Sequence, residues 1–225
     1  MPESALFARH GLVWIRPECR ATVAAQVADD AMQTQVAAWL AADLPLVVAR
    51  QPCGEALSDT IAVGLALPPA QGKCRIALSV AAHDIARYTL PLRLADALAH
   101  APAAWQPALA ELDFEATKVD LELRVFGSLA WQALSGIQYL TPQSDIDLLW
   151  HPQSHAQLQQ GIALLARWEQ DHGLRADGEV LFGGSSAVSW REWATLKSGD
   201  DQRVLVKRAS SAELLAAREL LELLA

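Results

Sequence analysis

Two aspartates one residue apart, Asp145 and Asp147 in the run SDIDLLW, follow a Gly127-Ser128 pair in the run RVFGSLAWQALSG. Side chains two apart on a strand point the same way, so both carboxylates can place oxygens on one or two hard cations. Ile146, between them, faces the core, and Leu148, Leu149 and Trp150 continue an apolar strand, which puts the acidic pair at its solvent-reaching end beside a cleft. Carboxylates that close repel one another unless a cation neutralises them, and magnesium is the natural ion. Gly127 and Ser128 fall between a strand and a helix. Glycine there permits close backbone approach, the free amides of the helix start attract a phosphate, and the Ser128 hydroxyl adds a ligand. Taken singly, each feature has a plainer reading: Asp-x-Asp as a turn or cap, Gly127 as a tight turn, Ser128 as an N-cap. Their combination points to a metal and phosphate site.

The elements that must hold this constellation are legible. LELRVF reads as a strand, SLAWQALSG as a short helix ended by Gly136, DIDLLW as a second strand and Gln153 to His172 as a helix. LRADGEVLF and AVSWREW alternate like strands, RVLVK follows, and a Ser210-x-x-Glu213 capping box predicts an amphipathic helix from Ser211. In the front half, Pro17 to Asp43 reads as one helix. LPLVVAR, TIAVGLAL and CRIALSV read as three strands of a small sheet, and Ala81 to Leu112 as short helices interrupted by Pro91, Pro102 and Pro107. The whole is a mixed α/β (α+β) chain without a fixed-period repeat. Its 225 residues divide into two lobes, 1–112 and 113–225.

Composition narrows the function classes. With 52% hydrophobic and 20% charged residues and no apolar run near the ~20 residues of a membrane helix, the expectation is a soluble globular protein with no membrane partner. The N-terminus lacks the pattern of a secretory signal, so the cytoplasm is the expected location. Cys19, Cys53 and Cys74 are odd in number and widely spaced, as reduced thiols are. A net charge of −8 argues against a long nucleic-acid contact, though not against a small anionic substrate.

The Gly127-Ser128 and Asp145-x-Asp147 pattern resembles the nucleotidyltransferase superfamily. The fuller run GSLAWQALSGIQYLTPQSDIDLLW resembles the phosphoribosyl-dephospho-CoA transferases, also called malonate decarboxylase holo-acyl-carrier-protein synthases. DGE at Asp177 to Glu179, WRE at Trp190 to Glu192, VLVK ending at Lys207, and the front-half RHGLVWI and LPLVVAR extend the resemblance over most of the chain. It implies a nucleotidyltransferase-like second lobe and a reaction. A serine hydroxyl of the apo acyl carrier protein of malonate decarboxylase attacks the innermost phosphorus of triphosphoribosyl-dephospho-CoA, and pyrophosphate leaves. The related citrate lyase synthase performs the same chemistry on another carrier. The resemblance further implies two magnesium ions, with manganese as a substitute. It also implies a third carboxylate from an adjacent strand: Asp177, preferred as base or metal ligand, or Glu179, with a hairpin turn at Asp177-Gly178 as the alternative.

Basic residues suited to a triphosphate are Arg191, Lys197, Lys207 and Arg208; in the front lobe, Arg50, Lys73 and Arg75 suit the donor's diphosphate or an acidic carrier protein. Each also reads as a surface residue. Trp131 and Trp150 flank the site and read as packing rather than as an adenine platform. His151 and His155 are separated by Pro152, which spoils a metal pair, and His83-Asp84 reads as a helix start. GGSSA at Gly183 to Ala187 reads as a hairpin turn. Two other readings remain open: adenylyl transfer to a small molecule or protein by the same fold, and a non-catalytic assembly factor for a decarboxylase complex.

Overall fold

Among the described residues, 7–52, 59–72, 74–196 and 202–224, the computed structural model forms two sheets, each with its own helices, an α+β arrangement. The chain divides into two units, Met1–Pro91 and Leu92–Ala225. The division falls earlier than the expected 112/113, because the stretch between joins the second core: Leu94, Leu109 and Leu112 are fully buried there.

The first unit contains strand β1 (Leu12–Ile15), helices α1 (Arg20–Ala24) and α2 (Asp30–Ala41), and strands β2 (Leu46–Val48), β3 (Thr60–Ala66), β4 (Arg75–Ala81) and β5 (Ile85–Thr89). Their order is β4-β3-β2-β1-β5, with every pairing antiparallel. The three expected strands are β2, β3 and β4. Alternation sets the buried face: Ile61, Val63 and Leu65 of β3 stand opposite Val80, Leu78 and Ile76 of β4. The helix expected over Pro17 to Asp43 is two helices. Asp29 accepts a hydrogen bond from the Met32 amide at 2.8 Å and so caps a new start. Residues 85–89, expected within a helical stretch, extend instead along β1, where the Arg87 guanidinium lies 3.7 Å from the Trp14 ring centre.

The second unit runs β6 (Leu92–Arg93), α3 (Leu94–Ala97), α4 (Gln106–Thr117), β7 (Arg124–Val125), α5 (Gly127–Ser135), β8 (Ile146–Trp150), α6 (His155–His172), β9 (Ala176–Phe182), β10 (Ser186–Ser189), α7 (Trp190–Ala194), β11 (Arg203–Lys207), β12 (Ala212–Ala216) and α8 (Ala217–Leu221). Its sheet has the order β12-β11-β10-β9-β8-β7-β6; β8 and β9 are parallel, and their neighbours pair antiparallel. A parallel pair needs a crossover, and α6 supplies it. Ser154 caps α6, and Gly161 lets it settle on β8, since a Cβ there would stand 2.6 Å from the Trp150 ring. The Trp168 indole donates to the Ala108 carbonyl at 2.7 Å and fixes α6 to α4.

Register sorts this sheet into two faces. Ile146, Leu148 and Trp150 of β8, Val180 and Phe182 of β9 and Val206 of β11 are at most 2% exposed and form the core side. Asp147, Asp177, Glu179 and Lys207 alternate onto the other side. Two expectations fail here. AVSWREW is a strand only to Ser189 and then turns into α7. The helix expected from Ser211 is strand β12, paired along all of β11; helical geometry begins at Ala217, where Glu219 accepts from the Ala216 amide at 3.1 Å. Among the described residues, no helix is long and apolar enough to cross a membrane.

Candidate active site

Strand β7 ends beside the start of β8, and the Phe126 amide donates to the Asp147 carbonyl at 3.1 Å. The chain then turns through Gly127, whose φ of +62° only glycine adopts without strain, directly into α5. A Cβ at Gly127 would stand 1.9 Å from Asp147 Oδ2 and 2.7 Å from its Cγ. The carboxylate thus lies against the first turn of α5, where backbone amides lack intrahelical partners and negative charge is favoured. Ser128 is half-buried in this turn and does not cap the helix, a position held by Phe126 without a side-chain bond.

The approach to β8 is fastened twice. Gln132 of α5 accepts from the amides of Tyr139 and Leu140, each at 3.0 Å, and Ser144 accepts from the Thr141 amide at 3.0 Å. Trp131 is buried and stacks on Tyr139, with ring centres 6.3 Å apart, so the packing reading of that tryptophan holds. Burial pushes the Tyr139 phenol up from 10.0 to about 12. Gln132 escaped notice in the sequence; glutamine in a helix carries no signal that it will hold a loop eight residues on.

Parallel register sets Asp147 directly beside Asp177. The alternative reading of a hairpin at Asp177-Gly178 fails: both residues lie within β9, and Asp177 Oδ1 accepts from the Gly178 amide at 2.8 Å. Gly178, at φ +133°, allows a close approach of strands, since a Cβ there would fall 1.9 Å from the Leu148 carbonyl oxygen. Asp145 lies just before β8, with Arg175 Nε 3.5 Å from its Oδ1. Among the described residues, no three His, Cys, Asp or Glu side chains converge into a closed metal-binding set. Asp145, Asp147 and Asp177 are half-buried carboxylates, the donor type that a hard divalent ion takes, and two of them, Asp147 and Asp177, stand side by side on adjacent strands.

Four of the remaining expected residues, Glu179, Lys207, Arg191 and Arg208, have definite partners. Glu179 is 6% exposed and accepts from Lys207 Nζ at 3.0 Å. Arg191 pairs with Glu169, donates to the Ala176 carbonyl at 2.7 Å and lies over the Trp190 ring, so it fastens α7 to α6 and to the start of β9. Arg208 bonds Glu213 and the Ser186 hydroxyl. In the first unit, Arg50 and Arg75 are exposed, and burial followed by the charge of Arg50 lowers the Arg9 guanidinium to about 10. Arg9 was not singled out from the sequence. Lys73 and Lys197 lie outside the described residues.

The fold defines a two-unit α+β protein whose second sheet carries Asp147, Asp177 and Glu179 on the face away from the core. Residues 93–218 match the family described as phosphoribosyl-dephospho-CoA transferase MdcG C-terminal domain, and residues 8–91 match its N-terminal domain. Over 207 residues the chain is 45% identical to the phosphoribosyl-dephospho-CoA transferase of Xanthomonas axonopodis pv. citri, covering 92% of this chain and 93% of that one. It is 35% identical to the protein of the same name from Bradyrhizobium diazoefficiens, covering 92% of this chain and 89% of that one. No solved structure matches. The chain belongs to the phosphoribosyl-dephospho-CoA transferase family and is a transferase.

Proposed function

We propose that this chain transfers the phosphoribosyl-dephospho-CoA group from triphosphoribosyl-dephospho-CoA to a serine of the apo acyl carrier protein of malonate decarboxylase. The serine Oγ–H bond breaks, with the proton passing to Asp177 as base and from there to solvent, and Oγ forms a bond to the innermost phosphorus; the bond from that phosphorus to the bridging oxygen breaks, and pyrophosphate leaves with the electron pair. The observation that carries this reading is the seating of Asp147 against Gly127 in a member of this family: an acidic group, a glycine turn and free helix amides meet at one point. The backbone amides of Gly127 and Ser128 cradle a phosphate of the donor. Asp145, Asp147 and Asp177 are the residues that would hold magnesium or manganese, which supplies charge neutralisation for the polyphosphate. Lys207 lies on the acidic side of the sheet and serves the outer phosphates, whereas Arg208 turns to Ser186 and Glu213. Arg50 and Arg75, with Arg9, serve the acidic surface of the carrier. The cytoplasm is the location proposed for this reaction.

The test is incubation of the chain and magnesium with purified apo carrier protein and triphosphoribosyl-dephospho-CoA, or with ATP in its place, followed by intact mass. The expected result is addition of one phosphoribosyl-dephospho-CoA group and release of one pyrophosphate, with the donor alone effective. Mass added from ATP, or none from either donor, overturns the proposal.

A further inference from the structure

We infer that Glu179 is a positioning residue for Lys207 rather than a third metal ligand, and that the pair forms a fixed cationic arm for the donor's polyphosphate. This deepens the function proposed above and rests on it. Glu179 and Asp177 follow one another on the same side of β9, two residues and therefore ~6.6 Å apart along the strand. Their environments differ. Asp177 is half-buried beside Asp147, whereas the Glu179 side chain is 7% exposed and holds Lys207 Nζ at 3.0 Å. Lys207 reaches it from two strands away, across β10, and its own side chain stays 30% exposed.

The asymmetry within this pair assigns the roles. A carboxylate that deeply buried is held by its counter-ion, because an ion out of water without a partner is costly. An ammonium held by this carboxylate is restrained on a flexible four-carbon stem, and with its side chain 30% exposed it still reaches solvent. The less exposed member is the anchor, and the more exposed member is the one a ligand meets. Sequence position alone offered Glu179 as an alternative to Asp177, since both alternate onto one face; burial and the lysine partner separate them.

The sign of one measurement separates positioning from mere charge. Taken only as a negative charge near the site, Glu179 repels anions, and its removal strengthens polyphosphate binding. Taken as the anchor of Lys207, its removal weakens binding. The probe is inorganic tripolyphosphate at fixed excess magnesium, titrated into the full chain by calorimetry. Lys207→Met is expected to weaken binding about tenfold, the range of one charge-assisted hydrogen bond. Glu179→Leu, near in volume, is expected to weaken it about three- to tenfold, and to have no weakening effect when added to Lys207→Met. Glu179→Leu binding as tightly as the parent, or more tightly, overturns the inference and leaves the polyphosphate site standing. So does an equal loss in the Lys207→Met background. Failure of the parent chain to bind tripolyphosphate overturns the polyphosphate reading itself, and this inference with it. If Glu179→Leu does not fold, Glu179→Gln, which keeps an acceptor but loses the charge, is compared in the same way with a smaller expected loss.

Discussion

The Asp147 carboxylate occupies the space that a side chain at position 127 would need: Oδ2 lies 1.9 Å from where a Cβ on Gly127 would stand. Glycine is required here on two counts, the φ of +62° and the contact itself. Gly127→Ala is expected to fold, with about 1 kcal/mol lost to the left-handed backbone, and to lower group transfer about 100-fold by displacing the carboxylate. Circular dichroism with a transfer assay checks this. Near-parent activity would show that the Asp147–Gly127 contact plays no part in the reaction.

Asp177 and Glu179 are expected to respond differently to loss of charge. Asp177→Asn should abolish transfer, by about 1000-fold or more, at nearly unchanged stability, because Asp177 adjoins Asp147 and removing one anion relieves repulsion. Glu179→Gln should lower melting temperature, because it leaves the Lys207 ammonium beside a neutral amide. Thermal melts alongside rates at saturating donor distinguish the two, and a reversed pattern would make Glu179 the third acidic ligand.

Arg191 is expected to act through stability. It joins Glu169, which itself accepts from the Ala176 amide at 2.6 Å, to the Ala176 carbonyl at the head of β9. Arg191→Ala leaves these acceptors short of a donor and should cost about 1–3 kcal/mol. Denaturant unfolding measures the loss, and the KM for the donor at a temperature where the variant is folded should stay within about twofold, since an unchanged KM marks lost structure rather than lost substrate contact.

Alkaline pH should act through Tyr139. Its phenol rises from 10.0 to about 12 on burial, so the folded state favours the neutral form. The contribution is fully present below pH 10 and is lost as pH climbs towards about 12, because the unfolded chain ionises first. Tyr139→Phe should therefore show a smaller fall in stability across that window, measured by urea unfolding at stepped pH. An identical fall in both proteins would remove Tyr139 as its source.

The sequence made the strands legible where apolar residues alternate or run together, as in TIAVGLAL and DIDLLW, and it placed α5 between a strand and Gly136. Helix propensity misled where tertiary pairing decides. The AELLA segment carries good helix formers, yet it lies along β11 because five consecutive pairings there are satisfied. The Ala-rich stretch over 17–43 has no proline or glycine after its start, and only the capping carboxylate of Asp29 divides it. Of the site, Gly127 and Asp147 were readable because glycine at a strand-to-helix turn and alternating aspartates have local causes. The Glu179–Lys207 bond spans 28 residues and two strands, and such a partnership has no local signature. The same holds for Arg191, whose partner Glu169 lies on the preceding helix.

The eighteen-residue helix α6 is the only covalent route from the strand of Asp147 to that of Asp177. Local hairpin closure therefore cannot bring the two acids together; they meet only when the crossover docks and β9 pairs beside β8, a long-range pairing. Until then the mutual repulsion of the carboxylates is absent. A nascent or truncated chain ending before 176 would carry the glycine turn and two of the three acids of the proposed site, and is expected to be inactive. On the proposed site, competence for catalysis therefore waits on the pairing of β9 with β8.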